Sequence, residues 1–157
     1  MANIVLKRDG MQHGGSPYGN QSTFAFNIKT NASGVVLNGS STTAPKANDV
    51  IVLGVLPNGF RLEDAQIFVT TAMTAGITGD LGFVYEDGVN SNEVPQDTAY
   101  FGAGLVLNAE GRLRATGTKL VTLPKNALLV LTIKGAAANA KDANVSVVVQ
   151  GELTGER

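Results

Sequence analysis

Residues 49–88 constrain the fold more than any other part of this 157-residue chain. Val50, Val52 and Leu56 alternate with Ile51, Leu53 and Val55. Both sides of this run are apolar, the pattern of a strand buried between two layers. Pro57 presets a turn φ, and Asn58-Gly59 tolerate left-handed backbone, so the run is expected to turn back as a core hairpin. Phe60 to Thr71 reads as the returning strand. Leu62, Asp64, Gln66, Phe68 and Thr70 share one side; Glu63, Ala65, Ile67, Val69 and Thr71 share the other. The second side is the expected core side, with both carboxylates in the half nearer the exposed end. A glycine-broken connection leads to a third strand in GDLGFVYEDG.

The rest of the chain repeats this grammar. Residues 2–8 (ANIVLKR) form a short candidate strand, and residues 9–22 (DGMQHGGSPYGNQS) offer almost nothing to bury. Residues 1–22 are therefore expected to be a flexible N-terminal arm, and residues 23–157 a single domain. In STFAFNIK, Phe24, Phe26 and Ile28 face one way. A brief strand is expected at residues 35–37, others at 98–101 and 105–107, a hairpin turn at 108–111 and a return at 112–115. Residues 119–123 stop at Pro124. ALLVLTIK (127–134) is apolar on both sides and reads as a central strand; residues 144–153 close the chain with Val145, Val147 and Val149 inward. The small-residue stretch 135–144 is too short and bounded for a helix. Many short strands with turn signals every ~8–12 residues make an antiparallel β-sandwich the expected fold. This pattern does not separate jelly-roll from immunoglobulin-like topology. Without Cys or Trp, the immunoglobulin hallmarks are missing.

A chain of this length buries about 70% of its unfolded surface and needs no disulfide or metal to hold it. With no cysteine there is no thiolate chemistry, which fits a reducing cytosol. The apolar run before Lys7 and Arg8 stands in the wrong order for a secretory signal. The longest apolar run, residues 127–131, falls far short of the ~20 residues that span a bilayer. The net charge of −1 is unevenly spread, with the middle third strongly acidic. Strands from all parts mix in one fold, so linear charge blocks say little about surface patches. No Arg/Lys cluster is interleaved with aromatics, so nucleic acid is not an expected partner.

Catalytic signals are sparse. His13 is the only histidine and lies in the expected arm, whereas a Ser-His-Asp triad needs its base held rigidly. A zinc site needs several His or Cys ligands. Glu63-Asp64 and Glu86-Asp87 are adjacent, so on strands their side chains are expected on opposite sides, unlike a facing carboxylate pair. The oxygen-rich loop 87–93 lacks calcium-loop spacing and reads as an ordinary polar loop. No catalytic residue, cofactor or metal is expected, and the chain does not read as an enzyme.

Six stretches carry a family resemblance: DVIVLGVLPNGFRLEDAQIFVTT, GDLGFVYEDG, DTAYFGAG, GRLRATG, ALLVLTIKGAAANA and NVSVVVQGEL. Together they resemble small structural proteins of tailed phages, the head decoration or cement proteins, over roughly residues 49–153. The resemblance implies a jelly-roll-like β-sandwich on the outside of the virion. Its implied partner is the major capsid protein, its state a dimer or trimer, and its place of assembly the host cytoplasm. No residue role carries over. The arm then supplies the contact candidates Ile4, Leu6, Lys7, Arg8 and Tyr18. The alternative is a head-fibre or tail-associated module recognising a host-surface glycan, with Tyr18, Tyr85 and Tyr100 as its only tyrosines for sugar stacking.

Overall fold

The computed structural model describes residues 1–6, 21–135 and 137–155. Ten strands run in the order β1 (Asn3–Val5), β2 (Gln21–Thr30), β3 (Val50–Leu56), β4 (Phe60–Thr71), β5 (Thr78–Tyr85), β6 (Asp97–Val106), β7 (Gly111–Arg114), β8 (Val121–Thr122), β9 (Ala127–Lys134) and β10 (Ala143–Leu153). There is no helix among the described residues. One sheet has the order β1-β3-β9-β5-β6; the other has β2-β10-β4-β7, with β8 on β4. All pairings are antiparallel except β1 with β3. The core lies between the sheets. β9 supplies Leu129, Leu131 and Ile133, β10 supplies Val145, Val147 and Val149, and all six are fully buried.

The expected hairpin at Pro57-Asn58-Gly59 is corrected. β3 and β4 lie in different sheets, β3 between β1 and β9 and β4 beside β10. The turn is real: the Phe60 N–H donates to Pro57 O and Gly59 has φ 75°. It carries the chain over the rim of the sandwich. The Gly59 N–H donates to Leu123 O instead of closing a ladder. The turn at 108–111 likewise passes from β6 in one sheet to β7 in the other. Among the described strands, only β5 and β6 pair as sequence neighbours. The expected strand at 35–37 is a single bridge, Thr30 to Val36.

A bulge splits the inward side of β4. Gln150 pairs with Asp64 and Gly151 with Leu62, so Glu63 is an extra residue. Phe60 and Leu62 point inward before it; Ala65, Ile67 and Val69 do so after it. The expected inward side is correct only for the second half. Glu63 and Asp64 are both turned out of the core, so the expectation of opposite sides fails there. A Cβ on Gly151 would lie 2.1 Å from Arg61 O and 2.6 Å from the Phe60 ring, so only glycine fits opposite the bulge.

β3 is not sandwiched as its sequence suggests. Ile51, Leu53 and Leu56 are buried, whereas Val50, Val52 and Val55 are half-buried on the outward side. Among the described residues there are two layers, and no third sheet lies on the outward side of β3.

Candidate functional site

The contact candidates divide sharply. Ile4 is fully buried, pairs with Ile51 and belongs to the core. Its side chain is not free to meet a partner, a correction that follows from β1 adding to the sheet edge. Leu6 is partly buried against the core and donates its N–H to Val52 O. Lys7, Arg8 and Tyr18 lie outside the described residues, as does His13. Both ends of the expected arm are strand: Asn3–Val5 is β1, and Gln21 and Ser22 open β2.

Asp49 seats β1. It is 1% exposed; Oδ1 accepts the Ala2 N–H at 2.8 Å and Oδ2 the Lys46 N–H at 3.1 Å. On the outer edge of β1, the Val5 N–H donates to Ser40 Oγ and the Ser40 N–H to Val5 O. Asp49→Ala is expected to cost about 2–3 kcal/mol, since it deletes a charged acceptor and leaves shielded N–H groups unpaired. Hydrogen exchange checks the location: protection should fall first at residues 2–6, with the centre of β9 still protected. Uniform loss would contradict the assignment.

The acidic groups are dispersed. Glu63 accepts from Arg61 and from Gln21, whose amide hydrogen bond holds its carboxyl below the usual range. Asp64 pairs with Arg114 at 2.6 Å. Arg61 also pairs with Glu152. Asp87 pairs with Lys125 at 2.6 Å, which lowers its carboxyl, and its other oxygen caps the Val89 N–H. In the loop at 87–93, Asn90 Oδ1 accepts the Ser91 and Gln96 N–H groups and Ser91 Oγ accepts those of Glu93 and Val94. These oxygens hold the loop's own backbone. No group of three His, Cys, Asp or Glu able to hold a metal occurs among the described residues.

A cleft of about 350 Å³ opens beside Phe83 and Tyr100, walled by Val94, Pro95, Lys119 and Val121. Glu93 and Asp97 also line it, and Asp97 Oδ1 accepts the Ala99 N–H. The Tyr100 hydroxyl donates to Lys119 O at 2.6 Å, and the Tyr85 hydroxyl to Val94 O. Burial pushes both phenols above their usual range. Their rings pack edge-on with Phe83, at 5.8 Å for Tyr85 and 5.6 Å for Tyr100. Tyr85 and Tyr100 brace the 91–97 and 116–121 segments and present no free ring for stacking.

What remains is surface, and the two outward faces differ. On the β2-β10-β4-β7 sheet the outward residues are mostly polar and mutually satisfied. Asn27 donates to Asn144 and Ser146, Arg112 to Gln66, and the Arg112 guanidinium covers the Phe68 ring at 4.9 Å. On the other sheet, register brings Val5, Val52, Val130 and Gly82 into one row, in which Val130 is fully buried and Gly82 lies under the β6 backbone. Val55, Leu128 and Val84 make the next. Nothing in the hairpin expectation located this face; its signal was the apolar alternation on both sides of residues 50–56 and 127–134.

No protein-family model matches the chain, and no curated protein matches it. Solved structures do. A chain in the capsid of Ralstonia phage GP4 superposes with TM-score 0.67 at 22% identity, covering 99% of this chain and 100% of that one. A chain in the cyanophage Pam1 capsid asymmetric unit gives TM-score 0.54 at 15% identity, covering 94% and 97%. A chain in the acid-stable capsid of Helicobacter pylori bacteriophage KHP30 gives 0.50 at 17%, covering 86% and 93%. The fold is therefore one found in phage capsids.

Proposed function

We propose that this chain is a structural virion protein that decorates a phage head, binding the outer surface of major capsid protein subunits and stabilising the assembled shell. The observation that carries this reading is the end-to-end match to a chain of the Ralstonia phage GP4 capsid. Such a match concerns the whole domain, not a shared hairpin, and it pairs this chain with a capsid component of its own size. The strand orders β2-β10-β4-β7 and β3-β9-β5-β6 support a jelly-roll-like topology, since two interlocked Greek keys give this alternation between sheets. The dispersed, paired acids suit a body that works by contact.

The mechanism is linkage. A protein that binds assembled subunits and not free ones stabilises the assembly by its binding free energy. Weak contacts repeated over a lattice add through avidity. The protein acts on the virion exterior after assembly in the host cytoplasm, as a dimer or trimer at a symmetry axis of the shell. Leu6, Lys7, Arg8 and Tyr18 remain contact candidates; Ile4 contributes by anchoring β1.

Heads carrying this protein are expected to withstand heating that bursts heads lacking it, with restoration on adding the purified protein back. Dye access to packaged DNA during a thermal ramp reads the difference. Equal bursting temperatures would remove the stabilising role.

A further inference from the structure

We infer that two copies of this chain join edge to edge through β2, making one continuous sheet of their two β2-β10-β4-β7 sheets across a two-fold axis. The inference narrows the dimer or trimer of the capsid reading to a two-fold pair. Its test needs no shell, so it stands or falls apart from that reading.

A strand edge offers its N–H and C=O groups to any strand that reaches it, and folded proteins block their edges. Three edges of this sandwich are blocked. On β1, Ser40 exchanges hydrogen bonds with Val5, and Leu6 bridges to Gly39. On β6 the register with β5 slips twice, and the Thr116 N–H donates to Phe101 O. β7 and β8, which flank β4, are four and two residues long, and β7 carries Arg112 and Arg114. β2 has none of these devices. Its ten residues keep unbroken register with β10, and Ser22 to Ile28 hold no proline, glycine or charge. Among the described residues, the edge is covered at its end alone, where the Leu37 N–H donates to Lys29 O and the Asn31 N–H to Val35 O. Those two bonds show that the odd-numbered residues turn their backbone groups outward. The N–H and C=O groups of Thr23, Ala25 and Asn27 therefore have no strand partner among the described residues.

The edge is complementary to itself, and that chooses a second copy as the occupant. An antiparallel pairing centred on Ala25 sets Ala25 opposite Ala25 and Thr23 opposite Asn27, so every one of these groups is bonded. Phe24 of each copy then falls opposite Phe26 of the other, at the closer spacing of a non-hydrogen-bonded pair. Both rings are half-buried; Phe24 stands edge-on to Phe60 at 5.2 Å, and Phe26 lies where a side chain on Gly54 would be. The paired stretch carries no charge, so no like charges meet. Pairing ends at Asn27, because Leu37 already holds Lys29 O. An edge that meets itself in this way closes as an isologous pair.

The test is sedimentation of the purified full chain, with amide exchange read at residues 23, 25 and 27. The wild type is expected to be a dimer at about 100 μM, with exchange at these amides slowing as concentration rises. Ala25→Pro removes an N–H that points away from β10, so the ladder within the chain is kept. It is expected to weaken association by about 100-fold or more. Should it not fold, Ala25→Lys takes its place: Ala25 is exposed, and the new charge would face its own copy across the axis. Val106→Lys, on the β6 edge, is expected to leave the dimer intact. A dimer undisturbed by a folded Ala25 variant overturns the proposal, and so does one that Val106→Lys dissociates. A trimer overturns it as well. A wild type that stays monomeric overturns it too; slow exchange of the three amides at every concentration would then make a strand of the same chain the occupant.

Discussion

Replacing Asn139 by alanine is expected to cost about 3–5 kcal/mol of stability and to lower the midpoint of thermal unfolding by roughly 10 °C or more. Asn139 is 1% exposed in the connection between β9 and β10. Its Oδ1 accepts from the Thr74 N–H and hydroxyl, both at 3.1 Å. Its Nδ2 donates to Thr30 Oγ1 at 3.1 Å and Lys141 O at 2.9 Å, with Gly34 O at 3.4 Å. Its backbone N–H donates to Pro45 O. One side chain thus joins the end of β2, the 31–45 loop and the segment after β4. Truncation strands several shielded groups at once, and each unsatisfied group costs about 1–3 kcal/mol. Asn139→Asp keeps the shape but turns a carboxylate oxygen toward Lys141 O, so it is expected to lose at least as much at neutral pH. Denaturant unfolding checks both; a loss under 1 kcal/mol for Asn139→Ala would show that water replaces the network.

The second large effect is expected at Gly82. A Cβ there would lie 2.1 Å from Asp97 O, 2.4 Å from Thr98 C and 2.7 Å from Ala99 N. These are backbone atoms of β6, which folds over the outward side of β5 where its register jumps from Gly102 to Asp97. No side-chain rotation relieves the clash, so β6 must lift away. The lift would disturb the Tyr100 ring and its edge contacts with Phe83 and Phe101. Gly82→Ala is expected to cost about 3 kcal/mol, the upper end of ordinary overpacking. Reduced near-ultraviolet circular dichroism should accompany a lower melting point. An unchanged melting point would mean that the β6 backbone does not rest on Gly82.

These two sites differ in how far the sequence announces them. Gly82 stands in a glycine-rich strand, GDLGFVYEDG, and glycine within a strand signals a bulge or a close backbone approach. What approaches it was not readable, because Asp97 comes from the far end of a long loop. Asn139 gave no signal at all: among small residues in GAAANAKDAN it looks like loop polarity. Its partners Thr30, Thr74 and Gly34 lie 109, 65 and 105 residues away.

The strands were legible where the alternation is clean. Residues 127–134 read as a central strand and occupy the centre of their sheet; Val145, Val147 and Val149 read as inward and are fully buried. The all-β class with two packed sheets follows from the same periodicity. The reading failed at Glu63, where an inserted residue reverses the sides of β4. It failed again at Pro57-Asn58-Gly59, where a sound turn joins two sheets. Glu63, Asp64 and Asp87, which the sequence does not mark as a site, are held by Arg61, Arg114 and Lys125.

The sequence by itself determined that this chain makes strands, roughly where they begin and end, and which residues most of them turn inward. Side-chain alternation and turn preference are properties of neighbouring residues, so they are written locally. Which strands pair, where β6 crosses Gly82, and the outward apolar row on β3 and β9 were decided only in the tertiary structure. A strand cannot encode in its own alternation whether its second side meets another layer, because that depends on what the distant strands leave uncovered.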